Sequence, residues 1–188
     1  MDKRKTISFL LFGVGLMLLG AGLGIHLLKS DPPPVDDRSA APRNCVEPAH
    51  VSFDAPELSL HGLDDQPVSL EKYRGQVVLL NAWATWCPPC LAELPDLEAF
   101  FKEYRDEGFV LVGVNIGEPR GTVLEFLEQN PLSFPIWMDP GEQTLRALNT
   151  IALPYSIVVD RTGEVRLAWS GATCYENLET AITPILRQ

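Results

Sequence analysis

Two cysteines, Cys87 and Cys90, stand three residues apart with only Pro88 and Pro89 between them. At helical spacing that is one turn, so the sulfurs can close a disulfide, share a metal ion or pack as small apolar groups. A structural zinc site needs four ligands, and the chain offers neither a second Cys-x-x-Cys nor a nearby His pair. Copper or heme transfer through the dithiol would want supporting His or Met ligands, which do not accompany it. Peroxidase chemistry would want a lone reactive cysteine upstream with an activating Thr and Arg, and none is evident. The flanks favour thiol–disulfide exchange. An apolar run, Val77–Trp83, ends just before the pair, and an amphipathic run, Leu91–Glu107, follows it. A dithiol where a strand gives way to a helix is placed for redox work, and that chemistry needs no metal and no cofactor.

The roles of the two sulfurs follow from the helix end. Cys87 falls at the N-cap, where unpaired N–H groups and the helix dipole favour a thiolate, so it is the expected exposed attacking sulfur. Cys90, one turn in, is expected to be more buried and to resolve the mixed disulfide. Pro88 and Pro89 suit the first helical positions but supply no N–H. The Cys87 thiolate then keeps mainly the N–H of Cys90, which predicts a reducing rather than a strongly oxidising site. Glu93 lies one further turn along. It is placed to exchange protons with Cys90 or to raise the thiol pKa values; the plainer reading is a solvated glutamate on the helix face. Trp86 is expected to shield the dithiol, with a core aromatic as the alternative.

The elements that must hold this site can be read from periodicity. Val77–Trp83 is near-continuously apolar, as in a strand covered on both faces. Leu91, Leu94, Leu97, Phe100 and Phe101 recur at helical spacing, Pro95 interrupts the helix, and Gly108 ends it. Phe109–Asn115 is a second buried strand. Thr122 and Glu125 form a capping box for a helix over Val123–Gln129. Phe134–Met138 is a short strand and Glu142–Asn149 a short helix. Tyr155–Asp160 and Glu164–Ser170 make a hairpin. Thr173 with Glu176 caps a last helix carrying Leu178, Ile182 and Ile185. Earlier, Leu58–Leu60 and Val68–Leu70 flank a turn at Gly62–Asp65, a further hairpin. The order implies an α/β sheet with an antiparallel edge.

Upstream, the chain changes character. Residues 1–6 are a basic head, and 7–28 are almost wholly apolar. At about 1.5 Å per residue a helix of that length matches the ~30 Å hydrocarbon core, so a transmembrane signal anchor is expected. It is longer than a cleavable signal core, and no A-x-A site follows. The basic head places the N-terminus in the cytoplasm and the body, residues 51–188, on the far side. Residues 29–50 hold Pro32–Pro34 and Pro42, an extended semi-rigid spacer. The net charge of −10 is carried by the body, because residues 1–29 are basic. That balance excludes nucleic-acid binding through a basic face.

The stretch Asn81-Ala82-Trp83-Ala84-Thr85-Trp86-Cys87-Pro88-Pro89-Cys90 resembles the active site of the TlpA/ResA/CcmG-like branch of thioredoxin-fold oxidoreductases, and the match runs over roughly Phe53 to Leu186. Pro95 falls where that family kinks its active-site helix. Leu153-Pro154 falls where it carries a cis-proline, and Phe134–Asp139 lies within the insertion that marks the branch. Glu93 matches an acidic residue of the ResA-like pattern. Asn81 stands where cytosolic thioredoxins carry a buried acid, and Tyr155 stands where the family often has Thr. The resemblance implies a thioredoxin-like α/β fold: a central mixed sheet flanked by helices, with an N-terminal hairpin and the TlpA-type insertion. It implies that Leu153 beside Pro154 offers its backbone to an extended partner segment, with Trp86, Pro88 and Pro89 on the same binding surface.

The resemblance also implies a setting. The expected protein is a single-pass protein of a bacterial cytoplasmic membrane, its domain facing the periplasm or cell exterior. It would reduce the cysteines of apocytochrome c or of a copper-delivery protein, and draw electrons from a transmembrane donor of the DsbD/CcdA type. A tethered chaperone or binding module that uses the Pro154 groove without turnover is the alternative. In a thioredoxin topology Cys174 lies on the rim of the dithiol, within reach of Cys45. A structural disulfide between them is favoured, against a second redox pair or two free thiols.

Overall fold

The computed structural model describes residues 44–188. The basic head, the apolar segment 7–28 and the linker as far as residue 43 lie outside the described residues. No helix among the described residues is long and apolar enough to cross a membrane.

Eight strands form one sheet: β1 (Ala49–Asp54), β2 (Leu60–Gly62), β3 (Pro67–Val68), β4 (Val77–Trp83), β5 (Phe109–Ile116), β6 (Ile136–Asp139), β7 (Tyr155–Val159) and β8 (Glu164–Ser170). Among the described residues four α-helices accompany them: α1 (Pro88–Tyr104), α2 (Arg120–Gln129), α3 (Gln143–Ala147) and α4 (Tyr175–Leu186). The strand order is β1-β8-β7-β4-β5-β6-β2-β3. β4 pairs in parallel with β5 and antiparallel with β7, so the sheet is mixed about its central strand. All seven residues of β4 are buried. Because strand side chains alternate, Val77, Leu79 and Trp83 join the core cluster with α1 and α4, while Val78, Leu80 and Ala82 join the cluster on the other face. A strand with two covered faces needs apolar residues at every position, which is why it reads as a continuous run. Asn81 breaks that run on the α1 face.

Several boundaries differ from the sequence expectations, each for a local reason. Ala49 and His50, placed in the spacer, open β1, an edge strand antiparallel to β8. Five of its six residues are exposed, so no buried face produces a readable alternation. α1 begins at Pro88 behind the N-cap Cys87, as the two prolines predict, since proline is at home in a first turn. It contains Pro95 and gives way to a 3₁₀ turn at Arg105–Glu107, closed by Gly108 at φ 81°.

The expected capping boxes do not form. α2 starts at Arg120 behind Pro119, so Thr122 lies inside its first turn. α3 is capped from β6: Asp139 accepts the N–H groups of Gln143 at 2.9 Å and Thr144 at 2.7 Å. The residue before α4 is Cys174, not Thr173.

Candidate active site

β4 delivers the chain to the edge of the core, and a turn at Ala84–Cys87, with the Cys87 N–H donating to Ala84 O, swings it into α1. Cys87 is the N-cap residue, in extended conformation, and its Sγ accepts the N–H of Cys90 at 3.3 Å. Pro88 and Pro89 fill the first two helical positions and face solvent. The two sulfurs are joined at 2.05 Å, with the Cα atoms 5.3 Å apart. Cys90 is fully buried and Cys87 is 4% exposed. The order of exposure is the expected one, but the attacking sulfur is largely covered rather than open, because it packs within the core cluster that includes Trp83 and Leu94. Trp86 is 67% exposed. It is therefore not a core aromatic, and most of its ring is open to solvent.

The peptide bond between Leu153 and Pro154 is cis. Pro154 is buried and its carbonyl accepts the N–H of Gly171, tying the loop before β7 to the end of β8. Leu153 is partly buried and touches both core clusters.

Glu93 is not a solvated surface residue: it is 1% exposed. Its Oε1 accepts Asn81 Nδ2 at 2.8 Å and its Oε2 accepts the backbone N–H of Thr173 at 3.0 Å. Asn81 Nδ2 also donates to Ser156 Oγ on β7 at 2.9 Å. Burial pushes the Glu93 carboxyl up to about 7; the Thr173 and Asn81 hydrogen bonds hold it back, and Asp96 adds to the rise. A carboxyl poised there can take or give a proton near neutrality.

Three participants escaped the sequence reading. Ser156 and the Thr173 backbone complete the Glu93 cradle, and they come from 75 and 80 residues away from their partners. Glu118, almost buried after β5, accepts Thr85 N–H at 2.7 Å, Thr85 Oγ1 at 2.5 Å and Asn115 Nδ2 at 2.7 Å. It thereby fixes the turn that presents Trp86 and Cys87. The available signal was Asn115 and Glu118 closing an otherwise apolar strand at the sheet end that carries the dithiol.

Cys45 is disulfide-bonded to Cys174, with Cα atoms 5.5 Å apart. Among the described residues no cluster of three or more His, Cys, Asp or Glu side chains could hold a metal ion.

Comparison with known proteins agrees with this geometry. Residues 51–168 match the model of the AhpC/TSA family. The thiol-disulfide oxidoreductase ResA of Geobacillus kaustophilus is 36% identical over 135 residues, covering 72% of this chain and 78% of the relative. A Chlorobium tepidum structure assigned as thiol:disulfide interchange protein DsbE is 32% identical, with TM-score 0.67 over 76% of this chain and 99% of its own. StoA from Bacillus subtilis is 26% identical, with TM-score 0.57 over 70% and 96%. With a closed Cys-Pro-Pro-Cys pair at the head of α1, a cis-proline before β7 and these relatives, the chain belongs to the AhpC/TSA family as a thioredoxin-fold thiol-disulfide oxidoreductase of the ResA/CcmG-like kind.

Proposed function

We propose that this oxidoreductase works as a membrane-tethered reductant of protein disulfides outside the cytoplasm, serving the maturation of cytochrome c or the assembly of a copper site. The observation that carries the reducing direction is the single backbone N–H, that of Cys90, on Cys87 Sγ. Two prolines follow the N-cap, so the donors a thiolate would meet in an ordinary first turn are missing and its thiolate is less stabilised. A poorly stabilised dithiol gives up its electrons readily. The apolar segment 7–28 and basic head support tethering. In an oxidising compartment a reducing dithiol needs electrons, and a transmembrane donor of the DsbD/CcdA type would supply them.

In the cycle, Cys87 thiolate attacks a partner disulfide, forming a Cys87–partner disulfide and releasing one partner thiolate. Cys90 then attacks Cys87 Sγ. Its proton passes to the Glu93 carboxylate, the Cys87–Cys90 bond forms, and the second partner sulfur leaves as thiolate to collect a proton. Two electrons move from the dithiol to the partner. Trp86, Pro88, Pro89 and the Leu153–Pro154 backbone form the docking face for an extended segment.

Titration of Cys87 and equilibration with glutathione test the direction. A pKa near ~3.5 and a potential near about −120 mV, the values of a strong oxidant, would overturn it. Trapping mixed disulfides on Cys90→Ser in cells identifies the partner. Captured apocytochrome or copper-delivery protein supports the assignment, and capture of neither removes it.

A further inference from the structure

Glu93 is held from two sides, and only one of them belongs to the sheet. Asn81 on β4 grips Oε1; the N–H of Thr173, in the loop between β8 and α4, grips Oε2. That loop is itself held by the segment that enters the domain. Thr173 Oγ1 donates to the Val46 carbonyl at 2.9 Å, Asn177 Nδ2 donates to the same carbonyl at 3.3 Å, and the Val46 N–H donates to Ala172 O at 2.8 Å. The neighbours on each side, Cys45 and Cys174, are joined covalently. Residues 45–46 and 172–174 thus form a short ladder closed by a disulfide, and the inner edge of that ladder is the wall over Glu93.

We propose that the Cys45–Cys174 disulfide and the Val46–Thr173 hydrogen bonds are a positioning clamp for Glu93, holding the Thr173 N–H on its carboxylate and keeping water away, and so setting its proton exchange with Cys90. The proposal rests on the reading of Glu93 as proton partner of Cys90. A disulfide that served stability alone could close anywhere on the surface; this one closes one residue from a ligand of the buried carboxylate. The groups bonded to Glu93 from β4 and the loop are Asn81 and Thr173, and Asn81 is held in turn by Ser156 of β7; all three are uncharged. Asp96, on its own helix, is the charged group that acts on it. Burial is the largest influence on the Glu93 proton and raises its affinity; the Thr173 bond is a smaller opposing one. Loosening the clamp admits water, relieves the larger influence and lowers the affinity.

The test is the pH profile of disulfide reduction by the full-length chain in detergent, for wild type, Cys45→Ser/Cys174→Ser, Thr173→Val and Thr173→Ser, each with and without Glu93→Gln. Thr173→Val removes only the hydroxyl that meets Val46, so it probes the clamp without opening the disulfide. The expected result is an inflection moved downward by about one pH unit in the disulfide variant, and in the same direction in Thr173→Val. Thr173→Ser restores it, and no shift appears on the Glu93→Gln background. An inflection that stays in place or rises in both clamp variants, while Glu93→Gln abolishes it, overturns the clamp and leaves the role of Glu93 intact. An inflection that survives Glu93→Gln overturns the role of Glu93 and the clamp with it.

Discussion

A carboxyl buried beside a dithiol works against the stability of the protein that carries it. The ordinary Glu93 value of 4.5 applies to the unfolded chain, and the folded value is about 7. Between those pH values the folded protein binds a proton that the unfolded chain has lost. Stability is therefore undiminished by this group below pH 4.5 and falls as pH rises through the window, by about 3 kcal/mol in all. Glu93→Gln removes the titration but leaves one donor facing an amide N–H, because a Gln side chain has a single acceptor oxygen. The variant should lose stability relative to wild type at pH 4.5 and gain on it steadily up to pH 7.5. Urea midpoints across that range check this, and comparing the two proteins cancels every other carboxyl. The spacing from Cys90 brought Glu93 into view, but not its state. Asn81 lies 12 residues away from it, and Thr173 lies 80 away.

On the proposed reading, the first turn of α1 sets the redox poise. Pro89 stands at a position whose N–H would normally reach an N-cap acceptor. Pro89→Ala restores that donor, so the reduced form with its Cys87 thiolate is stabilised and the potential rises, by roughly 30 mV for ~1.4 kcal/mol. Glutathione equilibration measures it; an unchanged potential would mean that the missing donors do not set the poise. In β5, Gly113 admits a close approach. A Cβ there would lie 2.8 Å from Ile136 Cδ1 and 3.0 Å from Phe134 Cε2 and Trp83 Nε1. Gly113→Ala should cost about 1–3 kcal/mol by overpacking, seen as a lower urea midpoint with the exchange chemistry retained. The long periodic elements were readable, since a twice-covered strand must be apolar throughout. The starts of α2 and α4 were not. Thr122-x-x-Glu125 and Thr173-x-x-Glu176 are both good capping patterns, yet Pro119 begins α2 earlier, and Thr173 spends its hydroxyl and its N–H on Val46 and Glu93.

Across the whole molecule, Cys45–Cys174 ties the entering chain to the start of α4 over a sequence separation of 129. In the chain-entropy description a loop of that length is worth about 4–5 kcal/mol. Cys45→Ser/Cys174→Ser should lower unfolding free energy by several kcal/mol, measured by urea titration with Cys87–Cys90 kept oxidised. A loss under about 1 kcal/mol would show that the unfolded chain is little constrained by it. Read alone, the sequence determined the dithiol, the order in which its two sulfurs are buried, the mixed α/β sheet and its central strands, because these rest on local spacing and on periodicity. Only the tertiary structure decided that Cys87 is covered, that Trp86 is open, that residues 49–54 form an edge strand, and that Glu93 sits buried between β4 and the loop before α4. Those outcomes depend on contacts between segments far apart in the chain, and burial is a property of the packed whole that no single stretch encodes. The Cys-Pro-Pro-Cys pattern names the chemistry; the buried carboxyl one turn beyond it is held by residues brought to it from distant parts of the domain.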